Sequence, residues 1–357
     1  MCQKMSTKLL GFLKAGIIKL ELLSRGGNKM NIENLYDREN NNFHFLDAKE
    51  LKKLSIDELK SYLAELRKYE FANGKELTGI KWRKVTHPII TGIVKADKMF
   101  SKEKIVLFDD QHTEDKTNKI YACTHVGGND IQRTLDILGS KDTWLLLGNP
   151  NDLYRNPIYK ALELNGVLPL ETFDREDRKI AYNRCVELLN KGGNLLIYPE
   201  GAWNVEFGKR VNKLFVGVIR MAKETGKQIV PIGLERYDNT YYFNFGKNIT
   251  IPKDTTLSER ELADYLREVF ATLKQPIMES QGILERATLD VDAYAKKFIS
   301  EIVGDNNYFS GDELYQAAKD ESFHDKGVVS EEEVFSCLDN VEISSKNAFL
   351  VRCRNKK

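Results

Sequence analysis

The chain has 357 residues, 41% hydrophobic and 30% charged, which is enough for one large or two modest domains with a sizeable core. Its 54 basic and 53 acidic side chains nearly cancel, so net charge gives no argument for a nucleic-acid partner, and none is predicted. The five cysteines are scattered without a C-x-x-C spacing and the five histidines lack an H-x-x-x-H spacing, which argues against a disulfide framework or a metal site and fits a reducing cytoplasm.

No stretch reaches the ~18–20 uninterrupted apolar residues that span a bilayer. The first apolar run, "LLGFLKAGIIKLELLS", carries Lys14, Lys19 and Glu21 and lacks a small-residue cleavage site, so it does not read as a signal peptide. Two readings remain for it. It is either a short amphipathic helix on a membrane surface or a mistranslated leader. The following "RGGNKM" is of the kind encoded by a purine-rich bacterial ribosome-binding site before a start methionine, so we read residues 1–29 as leader and Met30 as the start.

Residues 31–45 are polar and turn-rich and read as a loop or arm. Over 47–72 the leucines at 51, 54, 59, 63 and 66 fall at steps of three and four, which predicts an amphipathic helix, part of a helical hairpin on the domain that follows. Ser55 before "IDE" is a helix N-cap candidate. Residues 30–84 thus form an N-terminal helical segment. Its end, with Lys81, Trp82, Arg83 and Lys84, reads either as a peripheral membrane contact or as a solvated loop with a buried tryptophan.

Between 85 and 255, short apolar runs alternate with helical patterns. The runs are "KIVLF" (104–108), "KIYACT" (119–124), "TWLLLG" (143–148), "GVLPL" (166–170), "GNLLIYP" (193–199) and "QIVPIGLE" (228–235). Helices are expected at 131–139, 156–165, 176–191 and 212–225. This predicts an α/β fold with a largely parallel, buried sheet flanked by helices, and an antiparallel edge strand at 240–251. Residues 256–357 read as a helical extension, opened by a capping box at Ser258 and Glu261 and including "DVDAYAKKFISEIV" and "SGDELYQAAKDES".

The chemistry concentrates at "KIYACTHVGGND". His125 falls at the C-terminal end of a strand, where open parallel sheets place ligands, and Gly127 and Gly128 let the chain turn. Asp130 falls near the start of the next helix, within reach of the imidazole. Such a pair holds the ring in one tautomer and leaves the other nitrogen as a base, a role worth roughly 10²–10⁴ in rate. By itself H-x-x-x-x-D is a weak signal, frequent by chance, and a polar strand-to-helix turn accounts for it too. "LLIYPEGAWN" is a second strand exit, with Glu200 on the same rim. Cys123 shares a strand face with His125, and reads either as a nucleophile or as a small core residue.

Together and in this order, "ACTHVGGND" and "LLIYPEGAWN" resemble the glycerophospholipid acyltransferase superfamily, which includes the 1-acylglycerol-3-phosphate acyltransferases. His125 and Asp130 match its H-x-x-x-x-D block, and Pro199, Glu200 and Gly201 match its F-P-E-G block with Tyr198 for phenylalanine. "NPIYKALELNGVLPL" (156–170) and "QIVPIGL" (228–234) are similar to its second and fourth blocks. Thr172 and Trp203 stand where the family has arginines.

The resemblance implies acyl transfer from acyl-CoA or acyl-carrier protein to a lipid hydroxyl, with no metal or prosthetic group. It implies His125 as general base and Asp130 as its orienter. Backbone N–H groups at Gly127, Gly128 and Asn129, or after Glu200, would face the oxyanion. Glu200 and Gly201 would shape the acceptor pocket. Arg175 and Arg178 would pair with an acceptor phosphate or are solvated helix-start charges. A lipid acceptor implies a cytoplasmic protein, peripheral on the inner membrane face. Two rival readings stay open: a catalytically silent lipid-binding protein of the same fold, and a Cys123-dependent thioester hydrolase.

Overall fold

In the computed structural model the described residues are 35–80, 83, 87–88, 103–139, 143–148, 154, 166–204, 209–282 and 290–303. The leader reading of 1–29, the helices expected at 156–165 and in "SGDELYQAAKDES", and Lys81, Trp82 and Lys84 lie outside them.

The polar stretch before residue 46 is not a bare loop. Tyr36–Asp37 (β1) and Asn42–Phe43 (β2) form a small antiparallel ribbon. Asp37 Oδ1 accepts the N–H groups of Glu39 and Asn40, and Asn41 takes φ 49°, so side-chain hydrogen bonds and a left-handed residue build the turn. The helical pattern expected over 47–72 consists of two helices, Ala48–Leu51 (α1) and Ile56–Ala72 (α2). Asp47 with Glu50 and Ser55 with Glu58 each form a capping box, and the second restarts the helix because Ser55 is extended. Helix α2 lies against α4 (Arg175–Asn190), where Arg67 makes a bidentate pair with the buried Asp177 at 2.8 and 2.7 Å.

The strands of the α/β region are Lys104–Asp110 (β3), Ile120–Cys123 (β4), Thr143–Gly148 (β5), Val167–Leu170 (β6), Asn194–Ile197 (β7), Ile229–Tyr237 (β8) and Thr240–Phe245 (β9). Helices Asp130–Leu138 (α3), α4 and Gly217–Thr225 (α5) connect them. The described strands form one seven-stranded sheet in the order β3-β9-β8-β4-β7-β5-β6. Every neighbouring pair is parallel except the β8–β9 hairpin.

The expected position of 240–251 needs correction. The strand is antiparallel to β8 but ends at Phe245, and it is not the edge, because β3 pairs outside it in parallel. Tyr241, Phe243 and Phe245 are buried, so an edge place would leave large aromatics uncovered. The helix expected at 212–225 begins only at Gly217, since Phe215 gives its N–H to Pro199 O at 2.8 Å instead of to a helical carbonyl.

Strand β4 lies at the centre and is buried on both faces. Ile120 and Ala122 pack with α4, α5 and the first half of Glu259–Ser280 (α6), whereas Tyr121 and Cys123 pack toward α3. This two-sided burial is why the strand reads as a continuous apolar run. Helix α6 opens on the Ser258–Glu261 capping box, and Val291–Val303 (α7) follows. Among the described residues, no helix is long and apolar enough to cross a membrane.

Candidate active site

Strands β4 and β7 are hydrogen-bonded neighbours, so the segments leaving their C-terminal ends, residues 124–129 and 198–204, emerge side by side. Gly127 (φ 80°) and Gly128 (φ 61°) turn the chain into α3. A Cβ on Gly127 would stand 2.4 Å from Ile302 Cγ2 and 2.8 Å from Ile302 O, so this site needs glycine for space as well as for φ, whereas Gly128 needs it for φ.

Asp130 opens α3 and is fully buried. Its Oδ2 accepts three donors: His125 Nδ1 at 2.6 Å, Val126 N at 2.9 Å and Gly127 N at 2.8 Å. An ionised carboxylate only accepts, so the network assigns the proton to Nδ1 and the lone pair to Nε2. The imidazole lies 4.5 Å from the Tyr198 ring at a 32° tilt, with Trp203 edge-on at 6.1 Å. Tyr198 is fixed in turn by its hydroxyl, 2.9 Å from Thr134 Oγ1.

Glu200 is 4% exposed. Its Oε1 accepts the N–H of His125 at 2.9 Å and its Oε2 the N–H of Asn212 at 2.7 Å. Burial pushes its pKa up; the Lys274 ammonium and the two N–H donors pull it back only in part. The carboxylate therefore braces three backbone segments. Gly201 (φ 67°) closes the same turn by donating to Tyr198 O at 3.0 Å, and a Cβ there would meet the Phe215 ring at 2.4 Å.

The N–H groups of Gly127, Gly128 and Asn129, expected to face an oxyanion, already have partners. They donate to Asp130 Oδ2, to Ile302 O at 2.8 Å and to Tyr241 Oη at 3.0 Å, so all three are engaged within the protein. Arg175 and Arg178 are not brought to His125. Both are exposed on the first turn of α4, and Arg178 donates back to Thr172 O. Strand β6, which leads into α4, is three places from β4, roughly 14 Å by strand spacing.

Cys123 is fully buried, with Sγ 3.8 Å from Thr134 Oγ1. Burial raises its thiol well above the ordinary range, and the Asp130 charge adds to this, so the thiolate a nucleophile requires is disfavoured. Arg83 is 2% exposed with its guanidinium 5.7 Å from the Trp144 ring centroid, which removes it as a surface contact for membrane. Among the described residues, no group of three or more His, Cys, Asp or Glu converges to hold a metal ion.

Several contributors carry no local signal in the sequence. Tyr241, Asn212 and Ile302 reach the site from β9, the loop after β7 and α7, at separations that only the sheet order and helix packing close.

Comparison with known proteins bears on the same segment. A family model described as acyltransferase matches residues 104–235. A chloroplastic 1-acyl-sn-glycerol-3-phosphate acyltransferase of Arabidopsis thaliana is 34% identical over 119 residues, 33% of this chain and 32% of that protein. A chloroplastic relative of the same description from Brassica napus is 32% identical over 74 residues, 21% of each chain. The match therefore spans a third or less of the length of these curated relatives. A solved 1-acyl-sn-glycerophosphate acyltransferase from Thermotoga maritima aligns with TM-score 0.46 and 18% identity, covering 58% of this chain and 84% of that one. Over its α/β segment the chain is thus similar to proteins of the acyltransferase family model and to plant 1-acyl-sn-glycerol-3-phosphate acyltransferases.

Proposed function

We propose that the protein transfers a fatty acyl group from a thioester donor, acyl-CoA or acyl-carrier protein, to the free hydroxyl of a 1-acylglycerol-3-phosphate-type lipid. The observation that carries this reading is the 2.6 Å His125–Asp130 pair, with Asp130 buried and its Oδ2 also held by two backbone N–H groups. Asp130 fixes the tautomer and the ring plane. His125 Nε2 takes the hydroxyl proton as the oxygen attacks the thioester carbonyl. The tetrahedral intermediate then expels the thiolate, which recovers that proton from the imidazolium. In the environment described, the Nε2 lone pair needs no metal to act as base. No oxyanion role is assigned to Gly127, Gly128 or Asn129.

Residues 85–255 are the catalytic domain in this reading, with 30–84 and 256–357 as helical flanks. The names of the plant relatives support the phosphate-bearing acceptor. A second reading is favoured by one observation: Trp203, edge-on to the imidazole, occupies a position where the family has an arginine. It points to a less charged or bulkier acceptor. A lipid acceptor also implies peripheral attachment at the cytoplasmic face of a membrane.

The test incubates wild type and His125→Ala with labelled acyl-CoA or acyl-carrier protein and a panel of lysophospholipids, reading product masses. We expect acylated lysophosphatidic acid from wild type and a loss of roughly 10²–10⁴ in kcat for the variant. No product with any pair, or undiminished turnover in His125→Ala, overturns the proposal.

A further inference from the structure

Helix α6 lies outside the 104–235 segment that the family model matches, yet its cations reach back to the site. Arg260, Arg267 and Lys274 stand seven residues apart, about two helical turns, and so share one face. Arg260 Nη1 donates to Leu214 O at 2.8 Å, Arg267 Nε to Val211 O at 3.1 Å, and Lys274 Nζ to Arg210 O. The three contacts run antiparallel to the loop, 260, 267 and 274 meeting 214, 211 and 210.

The clamped run is irregular backbone with no sheet partner, so its carbonyls must find donors elsewhere. Apolar packing of Leu262, Leu266 and Phe270 already docks α6 on the sheet. The cations hold something else, namely the carbonyl side of one loop. Lys274 is 4% exposed, and its charge is met by Glu235 Oε1 at 2.9 Å, so the contact is built into the interior.

Asn212 sits inside this run. Its N–H donates to Glu200 Oε2 at 2.7 Å, and Glu200 Oε1 accepts the N–H of His125 at 2.9 Å. Phe215 N–H, just past the run, ties to Pro199 O at 2.8 Å. A continuous path thus leads from α6 through the loop and one carboxylate to the backbone of His125. Charge-assisted bonds of this kind are roughly twice as strong as neutral ones.

We propose that Arg267 and Lys274 are positioning residues of the acyl-transfer site, acting through the Arg210–Leu214 run and Glu200 to hold His125. This rests on the reading of His125 as the base. Arg260 contributes less, because it is shared with Asp264 at the surface.

The test uses the full chain with Arg267→Met, Arg267→Lys and Lys274→Met, and Glu268→Gln on the exposed face of α6 as control. Turnover, KM for donor and acceptor, and hydrogen exchange of residues 199–214 are measured, each also in a Glu200→Gln background. We expect Arg267→Met to lower kcat about tenfold with both KM values within about twofold, as befits a lost geometry and not a lost substrate contact. Arg267→Lys should recover most of that loss, and exchange should rise in 199–214 alone. In the Glu200→Gln background the effect should shrink, since both changes act on one path. Unchanged kcat in Arg267→Met and Lys274→Met, or losses that multiply in full with Glu200→Gln, overturn the proposal. If Lys274→Met does not fold because Glu235 is left unpaired, the two Arg267 variants decide. If wild type transfers no acyl group, the functional reading fails, and the exchange data still judge the clamp: unchanged exchange around Asn212 in Arg267→Met refutes it.

Discussion

Glu200→Gln separates a backbone brace from a substrate contact. In the structure both carboxylate oxygens accept backbone N–H groups, those of His125 at 2.9 Å and Asn212 at 2.7 Å. Glutamine keeps one acceptor oxygen and turns an amide NH₂ toward the second N–H, which then lacks a partner. An orphaned buried donor costs about 1–3 kcal/mol, and the remaining bond loses its charge assistance, about 1 kcal/mol more. Part of this is recovered because a desolvated charge is removed, the same burial that raises the Glu200 pKa. The net expectation is a loss of about 2 kcal/mol. In urea unfolding this lowers the midpoint at unchanged slope. In kinetics the displaced His125 lowers kcat about tenfold or more with acceptor KM held. An unchanged midpoint together with a raised acceptor KM at constant kcat refutes the reasoning and puts Glu200 in the acceptor pocket.

Three further outcomes are expected. Cys123→Ala leaves turnover within about twofold, because the thiol faces the core, and costs about 1 kcal/mol in unfolding free energy for the vacated volume; abolished turnover restores the thiol as nucleophile. Asp177→Ala strips Arg67 of its buried bidentate partner and Glu171 N of its acceptor, so it destabilises by about 3–5 kcal/mol in urea unfolding. A loss under about 1 kcal/mol shows the pair to be solvated. Asp174 gives a pH test. Burial raises its pKa, but the Lys68 ammonium and the N–H groups of Asp177 and Glu176 outweigh that and lower it below 3.8. Its stabilisation is therefore complete above the unfolded pKa of 3.8 and is lost as pH falls through the lowered value. Lys68→Met should move the acid-unfolding midpoint upward, and an unmoved midpoint contradicts the assignment.

What lay within one turn or one strand was readable from the chain. The β-like runs of the inner strands coincide with strands because the middle of the sheet is covered on both faces and needs continuous apolar residues. The Ser55 and Ser258 caps were legible because a capping box closes over three residues. The His125–Asp130 contact is similarly local, since two left-handed glycines fold five residues back on themselves.

Relations between distant segments were decided by tertiary structure alone. The residue pattern of 240–251 suits either an edge or an inner strand, and only the pairing of β3 outside it places it inside. Glu200 in "YPEG" reads as a rim carboxylate until the neighbouring loop delivers Asn212 N–H to its second oxygen. The glycine-turn N–H groups look available until Tyr241 and the last turn of α7 fill them. Arg260, Arg267 and Lys274 look like ordinary charges on an amphipathic helix, because a heptad spacing marks a face without saying what that face meets. By itself the sequence determined the strand–helix alternation and the helix caps, since local backbone geometry sets each of them, and it offered the imidazole–carboxylate pair as one of two readings of a turn. The order of the strands, the engagement of the turn amides and the tie from α6 to His125 were decided only when distant segments packed, because a hydrogen bond between them depends on where the whole sheet puts each end.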